Sequence, residues 1–319
     1  MTTARDVSTL FRRSHGDRVF RSILTVAAVI LPVVLALLIW QLWDEAHMAI
    51  GRFGIGFITT STWDPVAERF GALSLIFGTM VSSAIALVIA VPLSLGVAIY
   101  LTEFAPNALR QPVAFVIGLL AAIPSVVYGL WGIFVLIPFL KSSVFPLLRD
   151  TLGFLPFFQG TIYGPSMLAA GIILAIMVMP YIMSVGREVL LAVPNSQREA
   201  ALALGATRWE AVTSAVLPYA RSGIIGAVIL GLGRALGETM AVTMLIGNRH
   251  EIAASLFAPG YTMAAAIANE FAEAVGDIHL SSLAYVALVL FAVTVVVNAG
   301  ARLLIWRVAR GSGAGSSAL

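Results

Sequence analysis

The sequence lacks cysteine altogether and has only one lysine among its 319 residues. Without cysteine, the chain can form neither disulfides nor thiolate metal sites. The single lysine, Lys141, follows Leu140 rather than a glycine, so a Walker A nucleotide-binding loop cannot occur anywhere in the chain. Charged residues make up only 11% of the sequence, whereas 60% is hydrophobic and the mean hydropathy is +0.97. These values exclude a soluble globular protein and predict a membrane protein, which would need a partner in order to use ATP.

Long apolar runs account for most of the chain. Six of them can cross a hydrocarbon core of about 30 Å as α-helices, which predicts an all-α bundle of six spans. The expected spans lie at about 22–43, 72–101, 112–140, 166–185, 224–246 and 283–305. The first run is too long for the core of a signal peptide, so it is expected to remain as a span. Pro92, Pro124 and Pro180 are expected to kink their helices, and a re-entrant segment around Pro124 is the alternative there.

The arginines and the lysine indicate the orientation of the bundle. The N-terminal segment, the C-terminus and the loops at 102–111 and 186–222 carry thirteen of these residues, against five in the opposite loops. Because cytoplasmic loops carry the excess of basic residues, both termini are expected in the cytoplasm. We therefore expect a cytoplasmic segment at 1–21, a transmembrane domain at 22–310 and a flexible tail at 311–319.

The outer loop at 248–281 is acidic and is predicted to contain a helix over 262–275. It is either a solvated lid or a docking surface for an extracytoplasmic binding protein. The four histidines of the chain are scattered along the sequence, and no metal-ligand cluster or nucleophile–base spacing is present. The sequence therefore predicts neither a metal site nor an enzyme.

A charged segment at 194–218, between two apolar runs, predicts a helical hairpin. Ser196 and Glu199 have the spacing of a capping box, and Thr207 and Glu210 repeat it. The box predicts where each of the two short helices begins.

The turn and the surface of this hairpin can also be predicted. Gly205 is expected to take the left-handed conformation at the end of the first helix, and Pro218 is expected to end the second helix. Ala200, Ala201 and Ala203 leave one surface flat enough for another protein to approach closely. By spacing alone, the hairpin could equally be an amphipathic loop on the membrane surface.

Two charged residues, Arg234 and Glu238, lie within the fifth apolar run. They are four residues apart, so they are expected on one face of a single helix, where their side chains can meet. A charge at mid-membrane costs on the order of 3 kcal/mol, and such residues usually face a cavity. Either the two charges form an ion pair that locks helices together, or they line the path of an anion.

Small residues on the same run predict close packing around this charged pair. Gly233 and Gly237 form a GxxxG motif, and a second row comprises Gly223, Ala227, Gly231 and Ala235. Hydroxyls from Ser125, Tyr128, Thr239 and Thr243 are weak candidates for the anion path, because hydroxyls in membrane helices more often bond to backbone carbonyls.

Several motifs together resemble one family of transport proteins. The charged hairpin resembles the EAA loop of ABC-importer permeases in three places: Glu199-Ala200-Ala201, Gly205 and Leu217-Pro218. The apolar residue that this family often has two positions before the Leu-Pro pair is Ala215 here, which is a mild departure. The segments GRALGETMAV at 233–242, IPSVVYGLWG at 123–132 and TSTWDPVAERFGAL at 60–73 resemble phosphate-importer permeases of the PstC type.

The resemblance implies a six-span bundle of the MetI-like type in the inner membrane of a prokaryotic cell. It implies a transport subunit with no cofactor and no catalytic role, whose EAA loop docks on a cytoplasmic ATPase present in two copies. A second, homologous permease and an extracytoplasmic phosphate-binding protein are the other expected partners. Phosphate is the implied cargo, and the residues expected along its path are Arg234, Glu238, Ser125, Tyr128 and Thr239.

Two alternatives remain open at this stage. The chain could transport another oxyanion, or it could be a secondary transporter that uses Arg234 and Glu238 for proton coupling. An arginine fork suits phosphate oxygens, and an ionised glutamate accepts a hydrogen bond from an oxyanion that still carries a proton. Sulfate carries no proton at neutral pH, so it could not donate this hydrogen bond to the glutamate.

Overall fold

The computed structural model describes residues 15–310, with side chains from 19 to 303. Residues 1–14 of the expected N-terminal segment and the whole tail at 311–319 lie outside this part. Within the described residues the chain is helical, and its only β pairing consists of two isolated bridges. Six helical stretches are long and apolar enough to cross a membrane. The prediction of an all-α protein with six spans is therefore confirmed.

Fourteen α-helices follow one another along the described chain. They are α1 (His15–Phe53), α2 (Gly56–Thr59), α3 (Leu73–Ile99), α4 (Asn107–Ala122), α5 (Ser125–Trp131), α6 (Ile137–Phe139), α7 (Phe145–Leu152), α8 (Met167–Leu191), α9 (Asn195–Ala203), α10 (Arg208–Ala211), α11 (Leu217–Leu236), α12 (Met240–Ile246), α13 (Met263–Glu270) and α14 (Asp277–Arg310). Four π-helical segments extend or join them, at Tyr100–Phe104, Gly132–Leu136, Leu140–Val144 and Val212–Val216.

The third span differs from its prediction. The expected helix at 112–140 is interrupted, because Ile123 and Pro124 are extended, with ψ angles of 128° and 141°. Proline disfavours the helical conformation in the residue before it, which explains the break at Ile123. A separate apolar helix, α4, therefore precedes a candidate span at Ser125–Leu152. A single kinked helix through Pro124 was the wrong expectation, whereas Pro92 and Pro180 lie inside helices that continue past them.

Three other prolines sit just after π-helical segments. Pro138, Pro146 and Pro218 each occupy the second position of an α-helix that follows such a segment. Proline has no N–H, and its ring clashes with the carbonyl four residues earlier. A wider π turn removes the clash and lets the helix continue. The prediction that Pro218 ends the second hairpin helix is therefore wrong, because the helical path runs from Arg208 to Leu236.

Helix α8 forms the centre of the bundle, since its apolar stretch is more buried than that of any other candidate span. Helices α3 and α11 both pack against it. The small residues of α11 allow the close approach, because a Cβ atom on Gly231 would lie only 2.7 Å from Cγ1 of Ile182. A Cβ atom on Gly223 would lie 2.5 Å from Cγ1 of Val189. The predicted small-residue row thus faces α8. Helix α1 packs against α14 at the periphery.

Candidate functional site

The hairpin comprises α9, a turn and α10. At its second helix the predicted capping box is confirmed, since the N–H of Glu210 donates to Thr207 Oγ1 at 3.3 Å and the N–H of Thr207 donates to Glu210 Oε2 at 2.7 Å. The box expected at Ser196 and Glu199 is wrong. Pro194 takes the N-cap position and α9 starts at Asn195 without a side-chain cap, so Ser196 already lies in the first turn. Glu199 is left exposed on the hairpin.

The hairpin turn has the predicted left-handed glycine. Gly205 has a φ angle of +88°, and its N–H donates to the carbonyl of Leu202 at 3.0 Å. The N–H of Ala206 donates to the carbonyl of Ala201 at 3.2 Å. These bonds close the end of α9 in the manner of a glycine C-cap.

The outer surface of the hairpin is apolar as well as charged. Leu204 is 90% exposed and Trp209 is 58% exposed, and Ala200 lies beside Glu199 on the same exposed helix. Exposed apolar side chains that form one patch with charged ones are typical of a surface that contacts another protein or a membrane. The EAA residues therefore lie on an accessible surface rather than inside the bundle.

The chain around Arg234 breaks the expected single helix. Helix α11 ends at Leu236, residues 237–239 are not helical, and α12 starts at Met240. The expected helix at 224–246, with Arg234 and Glu238 on a common face, is therefore wrong. Gly237 follows the last residue of α11, with a φ angle of −97° rather than the left-handed conformation of a glycine cap. Among the side chains that the structure describes, no ion pair joins Arg234 to Glu238.

Arg234 instead contacts Tyr181 of α8. Its guanidinium carbon lies 4.2 Å from the centre of the Tyr181 ring, which is a cation–π contact. The Nε atom of Arg234 is buried and has no hydrogen-bond partner among the described residues. A buried donor without an acceptor is costly, on the order of 1–3 kcal/mol. The described residues therefore leave the hydrogen-bonding capacity of this nitrogen unused.

Two tyrosines hold the interrupted end of α4 near this arginine. The Tyr181 hydroxyl donates to the carbonyl of Ala121 at 2.9 Å, and the Tyr128 hydroxyl donates to that of Leu120 at 2.9 Å. These carbonyls lie in the last turn of α4, where helical partners run out. Tyr181 was not predicted from the sequence, because nothing in its spacing links it to Arg234.

The two helix breaks lie side by side. A Cβ atom on Gly129 would lie 3.2 Å from Cα of Ala241, and one on Gly132 would lie 2.7 Å from the Leu245 side chain. Helices α5 and α12 thus run in the same direction in close contact, which brings the break at 123–124 next to the break at 237–239. Broken helices at membrane depth are typical of substrate sites in transporters.

The residues whose hydroxyls were predicted as candidates for the anion path fall into two groups by their hydrogen bonds. Tyr128 and Thr243 donate to backbone carbonyls, the latter to that of Thr239 at 2.8 Å. Ser125, at the start of α5, and Thr239, before α12, are half-buried beside the two breaks. Their hydroxyls make no hydrogen bond to the described residues. Glu238 is likewise half-buried at its break.

A second polar cluster, which was not predicted, joins residues of the loops near 63 and 250 to Glu270 of α13 and His279 of α14. Glu270 Oε2 accepts a hydrogen bond of 2.7 Å from Trp63 Nε1 and lies 3.2 Å from His279 Nε2. Glu270 Oε1 lies 3.5 Å from His250 Nε2. The His250 ring stacks on Trp63 with centroids 5.3 Å apart. Two of the scattered histidines thus converge on one carboxylate, although the described residues include no group arranged to hold a metal ion.

This cluster has a clear electrostatic character. Burial raises the pKa of Glu270, but hydrogen bonds from His250, Trp63 and His279 lower it more, so the pKa lies below its ordinary value of 4.5. Burial also raises the pKa of the neighbouring Tyr261 to about 12. The helix expected over 262–275 is shorter than predicted, since α13 ends at Glu270, where this cluster forms.

Comparison with known proteins agrees with this architecture. Residues 90–310 match the family described as "Binding-protein-dependent transport system inner membrane component". The chain is 46% identical to the "Phosphate transport system permease protein PstC" of Mesorhizobium japonicum over 98% of this chain and 96% of that protein.

Two solved structures share the fold. One comes from "a bacterial ABC transporter involved in the import of the acidic polysaccharide alginate", with a TM-score of 0.54 and 18% identity, over 91% of this chain and 99% of that one. The other shows "inward facing conformations of the MetNI methionine ABC transporter", with a TM-score of 0.51 and 20% identity, over 75% of this chain and 94% of that one. The chain is therefore a multi-pass membrane protein that belongs to the family of binding-protein-dependent transport system inner membrane components, among the PstC-type permeases.

Proposed function

We propose that this chain is a permease subunit of an ATP-driven importer of inorganic phosphate. It forms the anion path together with a second, similar permease. Two copies of a cytoplasmic ATPase and an extracytoplasmic phosphate-binding protein complete the assembly. Membership of a binding-protein-dependent family and 46% identity to a phosphate transport permease support this proposal.

Arg234 carries the proposal. Its guanidinium is permanently charged and offers a planar set of donors that suits phosphate oxygens. It lies in α11 just before the break at 237–239, rests on Tyr181, and its buried Nε has no acceptor among the described residues. A passing anion would supply that acceptor and would relieve the cost of the desolvated donor. The absence of an ion pair with Glu238 leaves the positive charge available for the anion.

Glu238 distinguishes among oxyanions in this proposal. An ionised carboxylate only accepts hydrogen bonds, so it favours an anion that still carries a proton, as phosphate does at neutral pH. The hydroxyls of Ser125 and Thr239 lie at the same two breaks and add neutral donors. Tyr128 contributes by fixing the end of α4 rather than by direct contact.

The hairpin couples this path to ATP hydrolysis. The chain contains no Walker A lysine, so the nucleotide binds to a partner. Glu199, Ala200 and Ala201 present the exposed face of α9 to the ATPase, and Gly205 sets the turn. Leu217-Pro218 lies beyond the π-helical segment, where the hairpin continues into α11. Closure of the ATPases moves the hairpins, and the bundle then opens outward to receive the anion.

Phosphate uptake by proteoliposomes that hold the complete complex tests this proposal. We expect uptake to require ATP inside and binding protein outside, and to persist when the proton gradient is collapsed. Arg234→Met should reduce uptake at least about 30-fold, as expected when one partner of a buried charge contact is removed. The complex should still assemble. Uptake that follows the proton gradient instead would favour a secondary transporter.

Arg249→Met is the matched control. Arg249 also lies over a tyrosine, with its guanidinium carbon 5.8 Å from the centre of the Tyr163 ring, but it is exposed in an outer loop. Its replacement should change uptake by no more than about twofold. Equal losses in both variants would contradict a specific role for Arg234.

The orientation follows from the basic loops and belongs to the same proposal, with both termini and the hairpin in the cytoplasm. Because the chain has no cysteine of its own, single cysteines report on each side directly. A cysteine at Val275, which is 95% exposed, should react with an impermeant thiol reagent added outside intact cells. A cysteine at Leu204, which is 90% exposed, should react only after the membrane is opened. The reverse pattern would overturn the orientation.

A further inference from the structure

Arg198 lies in α9, directly before the Glu199-Ala200-Ala201 segment, and its side chain points into the bundle rather than toward the exposed face of the hairpin. Its Nη2 lies 2.8 Å from Glu103 Oε1, and its Nε lies 3.1 Å from Glu103 Oε2. This is a bidentate contact, in which the fork of the guanidinium matches both carboxylate oxygens. The pair is largely removed from water, since the two side chains are 19% and 11% exposed.

The same guanidinium also binds the end of α8. Its Nη1 donates to the carbonyl of Val193 at 2.6 Å, and its Nη2 donates to the carbonyl of Leu190 at 2.9 Å. The last carbonyls of a helix have no helical partner and carry the negative end of the helix dipole, so a cation is favourable there. One side chain thus joins the hairpin to the cytoplasmic ends of two spans, α8 directly and α3 through Glu103.

Helices α3 and α8 are themselves tightly joined over their length. The Ser94 hydroxyl donates to the carbonyl of Met179 at 3.1 Å. A Cβ atom on Gly171 would lie 2.5 Å from the Ile85 side chain. Because the two spans pack this closely, a displacement of their shared cytoplasmic end moves them together.

We infer that Arg198 is the positioning residue through which displacement of the hairpin moves α3 and α8. The covalent connection at Pro194 is a turn and can bend, whereas the guanidinium fixes both the distance and the angle of α9 relative to the two spans. A buried ion pair adds little net stability over apolar packing, but a bidentate guanidinium–carboxylate contact has a specific geometry. The inference rests on the proposed function, since it assumes that an ATPase moves the hairpin.

The experiment measures ATP hydrolysed per phosphate imported in proteoliposomes holding the complete complex. In each of the single variants Arg198→Met and Glu103→Gln, the ATPase should still dock on the exposed face of α9 and hydrolyse ATP. The spans should follow its movement poorly, so the ratio of ATP to phosphate should rise about tenfold. The matched control is Glu188→Gln, which removes an exposed pair between the adjacent residues Arg187 and Glu188 of α8. Its ratio should stay at the wild-type value.

A covalent bridge tests whether the connection itself is what matters. In a complex whose partners lack accessible cysteines, Arg198→Cys together with Glu103→Cys should be uncoupled. A short bifunctional thiol reagent that joins the two cysteines should bring the ratio back toward the wild-type value. Restored coupling supports the inference, because the bridge replaces only the link between α9 and α3.

Three other results have distinct meanings. An unchanged ratio in Arg198→Met, with normal uptake, overturns the inference. A parallel loss of complex recovery, hydrolysis and uptake, unrelieved by the bridge, also overturns it and leaves Arg198 with a purely structural role. A wild-type complex without ATP-dependent phosphate uptake contradicts the proposed function itself.

Discussion

Arg198 and Arg234 are both half-buried arginines, yet the structure gives them opposite surroundings. Arg198 is held by four oxygens within 3.1 Å, from Glu103, Val193 and Leu190. Arg234 rests on an aromatic ring, and its buried Nε has no partner among the side chains and backbone that the structure describes. The first arginine has its hydrogen-bonding capacity satisfied within the chain, and the second does not.

The difference shows how to separate a structural arginine from a ligand-binding one. A satisfied guanidinium offers nothing to a ligand, because binding would first have to break good bonds. An unsatisfied and desolvated one gains a bond when an acceptor arrives. Burial and charge alone would have placed both residues in the same class.

Replacing Tyr181 is the test of the contrast between Arg198 and Arg234 with the largest expected effect on uptake. Tyr181→Leu removes the ring beneath the Arg234 guanidinium, and a desolvated cation–π contact contributes about 2 kcal/mol. Phosphate uptake should therefore fall about tenfold or more. Tyr181→Phe keeps the ring and loses only the hydrogen bond to Ala121, so its loss should be about fivefold at most.

The control for this prediction is Tyr219→Leu, at an exposed tyrosine of α11. It should transport like the wild type. If the leucine and phenylalanine variants of Tyr181 transported equally well, the ring would not hold Arg234, and the contrast with Arg198 would lose its physical basis.

Glu270 offers a second test of the comparison between satisfied and unsatisfied charged groups, with a smaller expected effect. Its carboxylate oxygens have partners within the chain, as the guanidinium of Arg198 does. Its folded-state pKa is lowered, so its stabilisation is present above pH 4.5 and is lost as the pH falls through the lowered value. Glu270→Gln should lower the stability of the outer loops by about 1–3 kcal/mol at pH 7. It should also weaken the loss of stability on acidification below pH 4.5.

Thermal unfolding of the purified protein at pH 7 and pH 4 measures both effects. Glu273→Gln removes an exposed carboxylate from the same loop and serves as the control. Uptake at pH 7 should change little in either variant. Equal pH dependence in the wild type and Glu270→Gln would contradict a structural role for the cluster.

Much of the architecture could be predicted because the signals are local. The six apolar stretches follow from length and hydropathy, and the Thr207–Glu210 box and the left-handed Gly205 follow from spacing of a few residues. The motifs of the hairpin indicate the family by their residues and spacing alone. Each of these features depends on neighbours in the sequence.

The features that were missed depend either on two residues that compete for one position or on contacts between residues far apart in the sequence. Ser196 has the spacing of a cap, but Pro194 already occupies that position. Gly237 was interpreted as part of a GxxxG contact, whereas it ends α11 and separates Arg234 from Glu238. The contact of Arg234 with Tyr181 joins different helices, so no periodicity could reveal it.

The outer cluster illustrates the same limit. The hydrogen bond from Trp63 to Glu270 spans 207 positions. Four histidines scattered along a sequence give no sign that two of them share one carboxylate. Only the packing of the loops near 63 and 250 against α13 and α14 brings these groups together.

The π-helical segment at 212–216 has a consequence for the direction in which Arg234 points. A π turn holds one residue more than an α turn, so everything beyond it is rotated by about 100° relative to an unbroken α-helix. Arg234 lies beyond this segment on the same continuous helix. The direction in which its side chain leaves the helix axis therefore depends on the π turn beside the hairpin. The extra residue of this π turn is thus part of what turns Arg234 toward Tyr181 of α8.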